Sequence, residues 1–162
     1  MMVSIRVAIA LSVTALVVSE VGLAGVRGSK HDLSEGGGAQ QTTTVTTEVC
    51  VFCHTPHGAA SSVSAPLWNK SLPTTSYQRY SDLGTSSLDG TEAPVGSVSL
   101  ACLSCHDGTQ AMDVVINAPG SGGYTAGGAE LDPAAIGAMT GTPIPNLGTD
   151  LRDDHPISIE YA

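Results

Sequence analysis

Large aromatic side chains are scarce in this chain, with one Phe, one Trp and four Tyr among 162 residues. Such groups dominate the core of an ordinary domain, so a core anchored on aromatic residues is excluded. Cations are scarce as well. Six Lys and Arg stand against fifteen Asp and Glu, a formal charge of −9, and that sign argues against nucleic acid and anionic membranes as partners. Past the N-terminal segment, no stretch approaches the roughly eighteen consecutive apolar residues that a membrane-crossing helix needs. Glycine and proline are plentiful by contrast, at 19 and 9, which predicts a loop-rich chain with little regular structure.

Residues 1–24 read as a secretory signal peptide. Arg6 supplies a short positive start, Val7 to Val18 an uncharged apolar run, and Val21-Gly22-Leu23-Ala24-Gly25 small residues for cleavage after Ala24 or Gly25. The run is too short to cross a bilayer comfortably. No cysteine lies near the cleavage site, so a lipid anchor there is not expected. Cleavage would leave residues 25–162 as one exported domain, in the periplasm or at the outer surface of a bacterial envelope. Arg6 and Glu20 leave together, so the formal charge stays at −9.

All four cysteines fall into two copies of one five-residue unit, Cys50-Val51-Phe52-Cys53-His54 and Cys102-Leu103-Ser104-Cys105-His106. Cys-x-x-Cys-His is the attachment signature of c-type haem. One helical turn puts both thiols on the same side, where they can add to the two vinyl groups of a porphyrin. The next residue then aims its imidazole at the iron. Four cysteines could instead make a four-thiolate zinc site or two disulfides, but neither needs the histidines. Histidine makes up 5 of 162 residues, so its chance placement after both pairs has odds of about one in a thousand.

With two covalent haems, the porphyrins themselves become the expected core. The expected fold class is a small multihaem cytochrome c, mostly coil with a few short α-helices, dependent on haem for folding much as small metal-bound domains depend on their metal. Gly28 to Glu48 reads as loop, with a Thr-rich run from Thr42 to Thr47 that could end in a short extended piece. Ala65-Pro66-Leu67-Trp68-Asn69 reads as a packed turn, and Ser76 to Leu83 as a short helix. Ser99 to Val115 is the best helix candidate, with Ser99 as its cap. Asn117 to Gly148 reads as a long irregular loop holding at most one helical turn near Ala134 to Met139.

His54 and His106 are the expected proximal iron ligands, leaving His31, His57 and His155 for the opposite faces. Two irons need two of the three, so the supply favours bis-histidine ligation, which gives six-coordinate and generally low-potential iron. Methionine ligation would have to use Met112 or Met139, both better read as core filler. His57 lies one turn from His54 and cannot approach the same iron from the other face, so it is assigned to the second haem. His31 and His155 then compete for the first, and one of them could serve a haem in an adjacent subunit. The aspartates of Asp153-Asp154-His155-Pro156 are expected to hydrogen-bond the His155 Nδ1.

Lys30-His31-Asp32-Leu33-Ser34, Cys50 to His57, Ala65 to Asn69, Cys102 to Thr109, Asn146-Leu147-Gly148-Thr149-Asp150 and Asp154-His155-Pro156-Ile157-Ser158 together cover most of residues 25–162. In combination they resemble the doubled Cys-x-x-Cys-His multihaem cytochromes of metal-reducing and related anaerobic bacteria. The resemblance implies electron transfer in anaerobic respiration, with other redox proteins or multihaem cytochromes as partners. Relatives of that family include tetrahaem cytochromes that polymerise, which implies a possible homo-oligomer or filament with histidine ligation between subunits. Many members carry further haem motifs beyond the segment matching Asp154-His155-Pro156, so this is a two-haem member or the N-terminal part of a longer one.

An iron held by two histidines has no position open to substrate, so the expected function is electron transfer and not catalysis. A dihaem peroxidase or nitrite-type reductase would need a displaceable ligand and acid/base groups beside it. No paired carboxylate and histidine remain for that work once the ligands are assigned. The intact mass of the exported protein is expected to show loss of the signal and two covalent haem additions. A mass equal to the polypeptide alone would rule out both attachment sites.

Overall fold

The computed structural model describes residues 25–84, 87–141 and 145–160, so the signal assigned to residues 1–24 lies outside the described residues. Most of the described chain is neither helix nor strand. A 3-10 turn at Cys50–Phe52 is followed by a second at Tyr80–Leu83, strand β1 (Thr91–Glu92), helix α1 (Ser97–His106), β2 (Val114–Asn117), β3 (Tyr124–Glu130) and β4 (Ile159–Glu160). The strands form two separate antiparallel pairs, β1 with β4 and β2 with β3. Among the described residues no helix is long and apolar enough to cross a membrane.

Several expectations about local structure need correction. The helix expected over Ser99 to Val115 stops at His106, and its N-cap is Gly96 with no side-chain cap. Gly108 explains the stop: it sits at φ +69, and a Cβ there would lie 2.9 Å from both Met139 O and Asn146 Oδ1. Beyond it, the β-branched run Val114-Val115-Ile116 suits a strand better than a helix. The loop expected over Asn117 to Gly148 contains β3, whose sequence Tyr-Thr-Ala-Gly-Gly-Ala-Glu has little strand propensity of its own. Pairing with β2 makes it a strand, Val114 opposite Glu130 and Asn117 opposite Tyr124, with a register shift between Val115 and Asn117. Gly128 permits this approach, since it has φ +77 and a Cβ would stand 2.6 Å from Val114 Cγ1.

The short helix expected over Ser76 to Leu83 is reduced to the turn Tyr80–Leu83, started by Arg79 N donating to Asp82 Oδ2 and ended by Gly84 in the left-handed region. Ala65 to Asn69 does turn, with Leu67 at φ +53. Thr42 to Thr47 forms no strand. Its residues anchor Asp132 instead, whose Oδ2 accepts from Thr43 Oγ1, Thr44 N and Thr44 Oγ1 at 3.1, 2.7 and 2.8 Å. The Thr44 amide, first among these donors, holds the Asp132 carboxyl below its usual range.

The chain builds a small apolar cluster of its own from Leu33, Val51, Phe52, Met112 and Ile136, with Cys53, Cys105 and Met139 packed against it. Asn69, 0% exposed, fastens the first motif to β2. Its Nδ2 donates to Val51 O and Asn117 O at 2.7 and 2.9 Å, and its Oδ1 accepts from Asn117 N at 2.9 Å. Alanine at position 69 would remove the partner of the buried Val51 carbonyl and of two half-buried backbone groups of Asn117. Asn69→Ala is expected to cost about 3 kcal/mol in chemical denaturation, and a loss below about 0.5 kcal/mol would show that water replaces the amide freely.

Candidate prosthetic-group sites

The two Cys-x-x-Cys-His units are built alike although one is a 3-10 turn and the other ends a helix. In the first, His54 N donates to Cys50 O at 2.8 Å, closing one helical turn through both cysteines. In the second, Cys102, Cys105 and His106 occupy the last turns of α1. Cys50 and Cys102 are exposed, while Cys53 and Cys105 are half-buried on the shared apolar cluster. Burial, and then the neighbouring Cys105, pushes the Cys53 thiol above its usual range.

Both histidines are oriented by the same kind of partner. His54 Nδ1 lies 2.8 Å from Pro66 O, and His106 Nδ1 lies 2.8 Å from Pro145 O. A carbonyl can only accept, so each imidazole is a donor at Nδ1 and leaves Nε2 as its basic nitrogen. The backbone repeats the pattern, with Thr55 N on Leu67 O and Leu147 N on His106 O, at 2.9 and 2.7 Å. A cavity of 460 Å³ opens beside the first unit, walled by Cys50, His54, Pro56, Asn117 and Pro119. One of 340 Å³ opens beside the second, walled by Cys102, His106, Leu147, Leu151, His155 and Pro156.

The remaining histidines are not distributed as the spacing suggested. His31 and His155 both lie at the second unit. The His31 ring stands edge-on to His106 with centroids 6.1 Å apart, and His155 lines the cavity beside Cys102. The His155 Nδ1 meets Pro156 O at 2.9 Å, in place of the expected aspartates. His57 is exposed and precedes Gly58, whose carbonyl accepts from Asn117 Nδ2 at 3.4 Å, so it sits by the wall of the first cavity. The ring neighbour of His54 is Trp68, centroids 6.3 Å apart. Met112 and Met139 belong to the core, as expected of filler.

All four cysteines are unpaired. Among the described residues no three His, Cys, Asp or Glu side chains come together as a metal cluster, so the four thiols do not converge as a zinc site would require. Each unit instead offers one thiol and one imidazole on a cavity wall, with its second thiol packed on the apolar cluster behind. That donor set can anchor a flat ligand through sulfur and coordinate a metal within it. No family model and no curated protein matches the chain.

Two features of these sites were not visible in the motifs. The proline carbonyls lie 12 and 39 residues from the histidines they hold, a pairing with no fixed spacing to recognise. Asp107 is the other. Its Oδ1 accepts from Thr109 N and Oγ1, both at 2.8 Å, and its Oδ2 from the Tyr77 hydroxyl at 2.6 Å, locking the chain just after His106. Burial first, and then Asp107, pushes the Tyr77 phenol well above its usual range. A raised phenol favours the neutral form, so its contribution is intact below the ordinary tyrosine pKa and is lost as pH climbs through the folded value. Tyr77→Phe is expected to cost about 1 kcal/mol at neutral pH, and ultraviolet titration should show Tyr77 ionising after the other tyrosines. Coincident ionisation of every tyrosine would contradict this.

Proposed function

We propose that this chain is an exported electron-transfer protein that holds two covalent c-type haems, one at each Cys-x-x-Cys-His unit. Bound there, the group supplies one-electron redox chemistry. Cys50 and Cys53 would form the thioethers at the first site and Cys102 and Cys105 those at the second, with His54 and His106 as proximal ligands. What supports the reading is the likeness of the two sites: an exposed first thiol at a cavity mouth, a second thiol on apolar packing, and an imidazole whose Nδ1 is engaged by a carbonyl. Such a partner fixes the tautomer and raises the basicity of the ligating nitrogen.

The observation that carries the reading furthest is the facing pair His31 and His106. Two imidazoles sharing one metal through bonds of about 2 Å stand about 6 Å apart between centroids, and 6.1 Å separates these two. His31 would thus join His106 in holding the second group, while His155 lines the cavity beside it. The two sites share one apolar cluster through Cys53 and Cys105, which favours passage of an electron between them. With both His31 and His106 engaged, the second site would leave no place for substrate, which favours a carrier there over a peroxidase or reductase.

A second reading, assembly of copies through histidine, is favoured by one observation. His54 has Trp68 and not a histidine as its ring neighbour, while His57 is exposed. A ligand for the first site would then come from His57 or His155 of another copy, and a strictly monomeric protein in sedimentation would remove that reading. The axial assignment has its own test. His31→Ala should convert one of two haems to a high-spin form by visible and electron paramagnetic spectra, whereas His155→Ala stays low-spin. An unchanged His31→Ala spectrum in a protein carrying both haems would overturn the assignment.

A further inference from the structure

The least expected residue in the core is a lysine. Lys70 is 0% exposed, and lysine is almost never fully buried unless its charge is paired. Its Nζ donates to Met112 O at 2.8 Å and to Val114 O at 3.0 Å. Among the described residues the ion pair is between Arg152 and Asp150, so no carboxylate touches the Lys70 ammonium. Asp113, also 0% exposed, lies in the chain between those two acceptors; its Oδ2 accepts from Asp132 N at 2.6 Å and its Oδ1 has no partner.

The ammonium sits beneath both motifs. Met112 O, which it binds, also lies 3.9 Å from the Cys105 Sγ. The residue before it, Asn69, takes the Cys53 carbonyl on its own amide at 3.0 Å. A lysine needed only to tie two carbonyls could be replaced there by a neutral donor. An ammonium packed against both units would have a further effect.

Resting on the haem reading above, we propose that Lys70 sets the reduction potentials of both prosthetic groups, its buried charge favouring the reduced state of each. Reduction adds one electron to a site, and a cation in the poorly screened interior stabilises that added charge far better than a surface cation would. Net charge and burial are among the protein's established levers on such potentials.

The test is spectropotentiometric titration of the purified holoprotein, with intact mass read on every sample for two covalent haems. Lys70→Gln keeps a donor for the carbonyls and removes the charge. It is expected to shift the oxidised-to-reduced ratio at fixed potential by about tenfold toward oxidised, a midpoint lowered by about 59 mV for a one-electron couple. Lys70→Arg should hold the wild-type midpoints. Unchanged midpoints in a two-haem Lys70→Gln protein would overturn the proposal and leave the lysine a structural tie. Should Lys70→Gln not accumulate with both haems, Asp113→Asn decides: midpoints moved upward support the proposal, and unmoved midpoints overturn it. A wild-type mass without haem would instead overturn the functional reading on which it rests.

Discussion

Both candidate sites depend on one small apolar cluster that holds the second cysteine of each unit. Leu33, Val51, Phe52, Met112 and Ile136 come from four separate stretches of chain, and Cys53 and Cys105 lean on them from two sides. That cluster, with the Asn69 ties to β2, holds the Cys50 turn near the end of α1, since these elements share no sheet or helix pair. The cluster is too small to organise some 130 described residues by hydrophobic burial alone. Buried polar groups with several partners each supply the rest, and the hydrogen bonds of Asn69, Asp107 and Asp132 join segments 30 to 89 residues apart. Such groups are strongly specifying because a half-satisfied one is costly in the interior.

Orientation of the histidines follows from a second constraint, which is backbone and not side chain. Pro66 and Pro145 each present a carbonyl to an Nδ1, so that two loops of unrelated length serve one purpose. A proline lacks an amide hydrogen, and its carbonyl often lies outside regular ladders, free to accept from a side chain. The left-handed Leu67 next to Pro66 and the glycine beyond Leu147 help each loop curl back onto its motif. The two sites thus share a construction that their linear sequences do not share.

Legibility from sequence divided along the same line. The grouping of thiols with an imidazole was readable because Cys-x-x-Cys-His is local: two thiols and an imidazole need only one helical turn. The coil-rich character was readable from glycine, proline and the shortage of aromatics. The ends of α1 and the presence of β3 were not, because Gly108 and Gly128 act through contacts with distant residues, Asn146 and Val114, that no window along the chain contains. The histidine partners failed for the same reason. Counting histidines could not place them: His31 beside the second unit required the fold of residues 25–48, which carries no periodic signal at all.

Charge shows how far the inside of this protein departs from its composition. Anions outnumber cations by nine, so a charged partner approaching from solvent meets a negative surface. One of only six cations, Lys70, is wholly enclosed, and the carboxylates of Asp32, Asp107, Asp113 and Asp132 are buried as well. Surface charges act through water and ions and fade within about 10 Å at ordinary ionic strength. A buried charge does not fade in that way. Charges at the surface and charges in the interior can therefore change independently of each other in this chain.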